Sequence, residues 1–387
     1  MAKRTVFVYR SDVLSYSETF IKEQAGAYQE WHPILVGRKI LDQLSLDGVE
    51  VHLLSENKEA LSARVFAKLG RYFGYCPESK VLGRSNASLL HAHFGPDAVE
   101  AEALAQVLNI PLIVTFHGYD INIHREWWEN GRGGPNMKRY PNRLLKLARA
   151  PNTHFIAVSE ALRERAIAYG IPASKLKTFY IGIDAEKFRP GPIPYQARPA
   201  RILFVGRLVE KKGCEYLVRA MPLVRSRVPE AHLHVIGEGP LRSRLEQLSC
   251  QLGIGARFLG SLSAEAVKAE LDNARVLCLP SVHAANGDAE GFGLVLLEAQ
   301  AAGVPVVTSA FGGAEEGIWQ GITGFRFEEA DISGMAARLI EILSDPRMSL
   351  RMGMMGRRFV AERFDIRQCT SRLEKFYNEV VREQPVN

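Results

Sequence analysis

The sequence contains no run of about 20 apolar residues, the length a membrane-spanning helix needs, so no such helix is expected. Its five cysteines, Cys76, Cys214, Cys250, Cys278 and Cys369, are scattered and never fall in C-x-x-C spacing, which argues against a disulfide framework and against a zinc site. No D-x-D occurs, so the sequence offers no pair of carboxylates at that spacing to hold a divalent metal. Basic runs interleaved with stacking aromatics are also missing, which argues against nucleic acid as a partner. The G-x-G at 237–239 lacks its third glycine, Arg242 standing in its place. It reads as a tight turn entering a helix, and a nicotinamide dehydrogenase loses its fingerprint.

What is present describes a globular chain. Aliphatic and aromatic residues make up 47% of the 387 and charged residues 24%, a balance that excludes disorder. That length suits two domains. The basic residues near the N-terminus are followed by too few apolar positions for a signal peptide, and the expected location is the cytoplasm. The net charge of +6 is uneven: residues 1–190 carry +5 and 191–387 carry +1. An anionic lipid surface or a phosphate-bearing substrate could use that excess in the first half.

Short β-rich runs alternate with helical patterns. They fall at 5–9, 32–37, 49–54, 88–94, 111–118, 153–159 and 176–182, with amphipathic stretches such as 97–108 and 159–169 between them. This alternation predicts an α/β fold with a parallel, doubly wound sheet. The proline-rich stretch 189–199 reads as a linker, after which strands are expected at 201–208, 231–237, 256–261, 275–281 and 304–309. Two Rossmann-like domains follow, over 1–190 and 200–364, and the pattern from 331 to 382 is helical with nothing strand-like in it.

Ligands of open parallel sheets bind beyond the carboxyl ends of the strands, where helix N-termini gather. After the strand ILFV comes GRLVEKKG, placing Arg207, Lys211 and Lys212 either around a diphosphate or on a solvated basic loop. In GDAEGFGLVLLEAQAAG, Gly293 opens a helix apolar around nearly its whole circumference, so Glu298 should need a partner. Glu290 precedes that helix, with the amides of Phe292, Gly293 and Leu294 beside it. The bland alternative has Glu298 reaching outward to water. TFHGYD ends a first-half strand at His117 and Asp120.

Together GRLVEKKG, EGFGLVLLE, GVPVVTSAFGGAEEGI and GITGFRF resemble the donor-binding half of the retaining glycosyltransferases of family 4, of GT-B architecture, with similarity from about 90 to 330. The resemblance implies two facing Rossmann-like domains with a cleft between them and a helical tail, 365–387, that packs back on the first domain. It implies that Arg207 and Lys212 neutralise the diphosphate of a UDP- or GDP-linked sugar and that Glu290 approaches the sugar. The amides of Phe292, Gly293 and Leu294 would contact sugar and phosphate, Glu298 would hold the ribose, and His117 would stand beside the transferred sugar. SETFI and HAHFGPDA are similar to a bacterial branch that assembles exopolysaccharide. Many relatives have a Gly-Gly turn after the first strand, whereas here Ser15 and Glu18 have capping-box spacing and predict a helix starting near Ser15.

The expected reaction transfers a hexose-type sugar to a hydroxyl acceptor with retention, by front-face attack, without cofactor or metal. A non-catalytic nucleotide-sugar-binding module of the same fold is the alternative. Candidate acceptor residues are Ser17, Thr19, Asp120, Trp127 and Trp128, the tryptophans sitting on a long loop, 122–141, read as a mobile lid. A lipid-linked saccharide or a small soluble molecule would serve as acceptor. Basic positions Arg64, Lys68 and Arg71, and Arg143, Lys146 and Arg149, form faces suited to the inner surface of an anionic membrane or to plain solvent.

Overall fold

Strands made of unbroken apolar residues must be covered on both faces, and the chain builds two parallel sheets of this kind. The structure is a computed structural model that describes residues 3–15, 18–41, 45–46, 48–54, 86–309 and 311–383. Ser17, Cys76 and the basic stretch 58–73 with Arg64, Lys68 and Arg71 lie outside the described residues. The chain divides into two units, Met1–Gly182 with Ile366–Asn387, and Ile183–Asp365.

In the first unit the strands are β1 (Arg4–Tyr9), β2 (Asp12–Val13), β3 (Trp31–Gly37), β4 (Lys39–Ile40), β5 (Glu50–Leu53), β6 (Ala87–His93), β7 (Leu112–Phe116), β8 (Thr153–Ala157) and β9 (Leu176–Thr178). Seven of them form one parallel sheet in the order β5-β3-β1-β6-β7-β8-β9, and β2 pairs with β4 alone. The order reverses between β1 and β6, which makes the loops after these two strands the crevice of this unit. On one face Val6, Val8, Leu35, Leu89 and Ile113 pack with Leu373, Phe376 and Tyr377 of the last helix, Ile366–Arg382. Glu374 of that helix, 1% exposed, accepts the backbone N–H groups of Gln29, Glu30 and Trp31 at 2.8–2.9 Å.

The α-helix after β2 is Thr19–Gly26, and the turn that leads into it reaches back to Ser15, whose carbonyl accepts the Glu18 N–H at 2.9 Å. The capping-box bond from Ser15 N–H to Glu18 forms at 3.1 Å, and Glu18 also takes an ion pair from Arg10 at 2.8 Å.

The second unit holds β10 (Arg201–Val205), β11 (His232–Ile236), β12 (Arg257–Gly260), β13 (Val276–Leu279), β14 (Val306–Ser309) and β15 (Gly324–Phe327), all parallel in the order β12-β11-β10-β13-β14-β15. Its switch point lies between β10 and β13. Ile202, Phe204, Val235, Val276 and Cys278 meet the helices Cys214–Arg225 and Ile332–Ser344 through Leu217, Met221, Leu339 and Ile342. The edge strand β15 escaped the strand reading, being four residues long and following directly on a turn.

The proline-rich stretch does not behave as a free linker. Tyr195 and Arg198 are buried in the second unit, where the Tyr195 hydroxyl donates to the Arg275 carbonyl at 2.6 Å and Arg198 to that of Ala274 at 3.2 Å. The covalent crossings fall at Gly182 and Asp365, side by side, with Ile183 N–H donating to the Phe364 carbonyl over 2.9 Å.

Candidate active site

The loops after β10 and β13 carry the charged candidates Arg207, Lys211, Lys212 and Glu290 of the second unit. Glycines let these loops interlock: a Cβ on Gly237 would stand 2.0 Å from the Gly206 carbonyl oxygen, and one on Gly213, at φ +62°, would stand 1.7 Å from that of Pro280. The G-x-G after β11 therefore buttresses the Arg207 loop, with Leu208 N–H donating to the Glu238 carbonyl at 2.8 Å.

Lys212 and Glu290 come together as an ion pair of 2.5 Å, and the Ser281 hydroxyl lies 3.3 Å from the same carboxylate oxygen. Burial pushes the Glu290 carboxyl up, but Lys212 and Lys211 outweigh it and hold the group below its ordinary value. Lys211 does not join Arg207 and Lys212 on an open basic surface. It is buried and paired with Asp288 at 2.9 Å, tying down the loop that delivers Glu290. The Arg207 side chain is exposed and makes no hydrogen bond or ion pair among the described residues.

Gly293, at φ +81°, opens the helix Leu294–Ala301, and no side chain caps that N-terminus. Its partial positive charge favours an anion there. The Phe292 ring is buried with Phe364 at 5.4 Å, so its side chain belongs to the core. The helix is not sealed all round: Leu294, Val295 and Glu298 share a half-buried face, so Glu298 stands neither in an oily interior nor in bulk water.

In the first unit His117 follows β7, half-buried between Phe94 and Phe20, whose ring centroids lie 4.5 and 4.9 Å away. Phe94 holds φ 72° and ψ 141°, a region that costs a residue with a Cβ about 1–3 kcal/mol. Arg10 lies over its ring at 4.7 Å and pairs with Glu18 and Asp97. Burial raises Asp97 to about 7 against the pull of Arg10. This cluster fills the place of a glycine turn after β1.

Two acceptor candidates change role. Asp120 is fully buried, accepting N–H groups of Gly95, His117 and Gly118 at 2.9–3.3 Å, so it shapes the turn and has no face for a ligand. Trp128 is buried against Tyr140 at 4.9 Å, and the stretch 122–141 folds into short helices, Arg125–Glu129 and Pro135–Met137, in place of a free lid. Trp127 and Thr19 remain half-buried.

Sequence reasoning missed Arg10, Asp97, Ser281 and His93, and read Glu18 only as a helix cap. Only His93 carried a local signal: in H-A-H the two histidines alternate on a strand and so share a face. Among the described residues no group of three or more histidine, cysteine or acidic side chains gathers in metal-binding fashion.

Two family descriptions match the chain, Glycosyltransferase Family 4 over residues 38–187 and Glycosyl transferases group 1 over 190–359. The GDP-mannose-dependent alpha-(1-6)-phosphatidylinositol monomannoside mannosyltransferase of Mycolicibacterium smegmatis is 33% identical over 56% of this chain and 59% of its own. The amylovoran biosynthesis glycosyltransferase AmsK of Erwinia amylovora is 33% identical over 66% of this chain and 61% of its own. These alignments thus span less than two thirds of either relative's length. Among solved structures, HepE of Anabaena in complex with UDP and glucose superposes with a TM-score of 0.78 at 19% identity, over 97% of this chain and 100% of that one. Sucrose-phosphate synthase of Thermosynechococcus elongatus gives 0.78 at 19% identity, over 99% and 100%. With both sheets in Rossmann-like order, GT-B neighbours over nearly the whole length, and one family description on each half, the chain belongs to the family 4 glycosyltransferases.

Proposed function

We propose that the chain transfers a hexose-type sugar from a nucleotide-sugar donor to a hydroxyl acceptor with retention of configuration, in the assembly of a bacterial polysaccharide or glycoconjugate. The observation that carries this reading is the Lys212–Glu290 pair, set between the carboxyl ends of β10 and β13 beside an uncapped helix N-terminus.

A departing nucleotide diphosphate gathers negative charge. Arg207, Lys212 and the amides at Gly293 and Leu294 offer positive charge already in place, which lowers the barrier without reorganisation. No metal is required for that step. Glu290 orients sugar hydroxyls, and since retaining hydrolysis uses two carboxylates about 5 Å apart while Asp288 is taken up by Lys211 and no other acidic group joins the Lys212–Glu290 pair among the described residues, front-face attack is favoured over a covalent intermediate. Glu298, on the half-buried helix face, takes the ribose. On the first unit, His117 meets the sugar or its acceptor. The relatives' names support a saccharide acceptor, lipid-linked or soluble. Arg143, Lys146 and Arg149, exposed along the helix Tyr140–Arg149, are the cations that would meet an anionic bilayer.

The test is incubation with a panel of UDP- and GDP-linked hexoses, with and without EDTA, following slow donor hydrolysis by NMR. Release of the α-anomer from an α-linked donor, undiminished by EDTA and lost in Glu290→Gln, is the expected outcome. A chain that binds and cleaves none of them is a different kind of protein, and an inverted product removes the retaining mechanism. Co-sedimentation with phosphatidylglycerol vesicles, absent with neutral ones, tests the membrane contact.

A further inference from the structure

His91 and His93 lie on one face of β6, and His117 stands just past the end of β7 beside them. Their rings stack in series, with centroids 4.4 Å apart for His91 and His93 and 5.1 Å for His93 and His117. His91 is fully spent, its nitrogens on the Tyr377 hydroxyl at 2.5 Å and the Thr115 hydroxyl at 2.6 Å. A single hydrogen bond of 2.9 Å joins His93 Nδ1 to His117 Nε2. His93 is 1% exposed, and its Nε2 has no partner among the described residues.

These contacts determine where the protons sit. Burial, reinforced by His91 and by the Arg10 guanidinium, holds both imidazoles well below their usual range, so each ring is neutral and carries one N–H. Suppose His117 Nε2 were the donor. His93 would then keep its proton on Nε2, an N–H sealed from water with no acceptor, and orphaned buried N–H groups are rarer than under-used acceptors. In the opposite arrangement His93 Nδ1 donates, its Nε2 is a bare lone pair, and His117 must carry its own proton on Nδ1.

We propose that His93 is a positioning residue which, by donating from Nδ1 to His117 Nε2, fixes His117 as the Nδ1–H tautomer, so that His117 offers a ligand a neutral hydrogen-bond donor and never a base. Its direction is fixed as well. Asp120 grips the His117 N–H, and Phe20 and Phe94 flank the ring. The acceptor of this Nδ1–H is an oxygen of the sugar, the diphosphate or the incoming hydroxyl compound, an assignment that rests on the proposed glycosyl transfer. General-base activation of the acceptor by His117 is thereby ruled out.

Long-range proton–nitrogen NMR spectra of the full chain, labelled with nitrogen-15 histidine, read the tautomer directly, with the His117 signals identified by their loss in His117→Asn. The expected pattern is Nδ1–H for His117 in the parent. It persists in His93→Asn, whose side-chain amide N–H replaces the Nδ1 donor, and reverts in His93→Leu to the Nε2–H form that free histidine prefers. An Nε2–H pattern in the parent, or an unchanged pattern in a folded His93→Leu, overturns the proposal. Should the leucine variant not fold, the parent and asparagine spectra decide, and loss of the Nδ1–H pattern in a folded His93→Asn counts against it. The readout needs no substrate. A chain that shows the Nδ1–H pattern yet processes no nucleotide sugar therefore refutes the functional reading while leaving the tautomer standing.

Discussion

Lys212 Nζ rests 2.5 Å from Glu290 Oε2 although 78 positions of sequence separate the two residues. The pair ties the loop after β10 to the loop after β13. Lys212, with Lys211 beside it, keeps the Glu290 carboxyl ionised against a burial that favours its neutral form.

Removing one partner should therefore cost more than losing a surface pair. Lys212→Met is expected to destabilise the chain by about 3 kcal/mol at pH 7, because Glu290 is left charged and nearly buried. A carboxyl held below its ordinary pKa contributes stability above that pKa and loses it as pH falls through the folded value. The penalty should accordingly shrink towards pH 4. Urea unfolding at both pH values checks this, and an equal penalty at each would show that the pair is not the cause.

Arg207 should separate binding from stability. With no side-chain partner among the described residues, Arg207→Ala is expected to leave the melting temperature unchanged while weakening UDP or GDP about tenfold, roughly 1.4 kcal/mol, in a calorimetric titration. Undiminished nucleotide affinity would remove Arg207 from the site.

Glu374 is expected to be among the costliest single positions to lose. Alanine there orphans three backbone N–H groups around Trp31, each worth about 1–3 kcal/mol when buried without an acceptor. Denaturant unfolding of Glu374→Ala should show a loss of at least about 3 kcal/mol. A loss below about 1 kcal/mol would mean that water replaces the carboxylate.

Gly213 offers a purely steric check. A methyl group there meets the Pro280 carbonyl at 1.7 Å, and the positive φ disfavours any side chain. Gly213→Ala should lower stability by about 2–4 kcal/mol and, by shifting Lys212, weaken nucleotide binding too. Wild-type affinity in a folded variant would uncouple the loop from the site.

Much of this fold is legible because a parallel strand covered on both faces has to be written as an unbroken apolar run, as ILFV and VLCL are. What stayed hidden depended on partners distant in the chain. Nothing near Asp120 says that its carboxylate turns inward to the Gly95 amide, and nothing near Ser15 says that Glu18 also pairs with Arg10. Glu298 was read as sealed in oil because its neighbours in sequence are apolar. Its neighbours on the helix face, Leu294 and Val295, are half open, and residue type alone does not reveal which side of an apolar helix faces outward. Resemblance had grouped Lys212 and Glu290 around one donor without foreseeing that they would grip each other.

The last helix gives the chain an order of assembly. Ile183–Asp365 is contiguous and emerges from the ribosome whole, able to close its sheet while synthesis continues. The other half cannot finish: Tyr28, His91 and the Trp31 amide wait for Tyr377 and Glu374, made more than 340 residues after Tyr28 and Trp31. Until then its first strands stand ready with one flank bare, and a nascent chain stalled before Ile366 holds a completed second half tethered to an unfinished first.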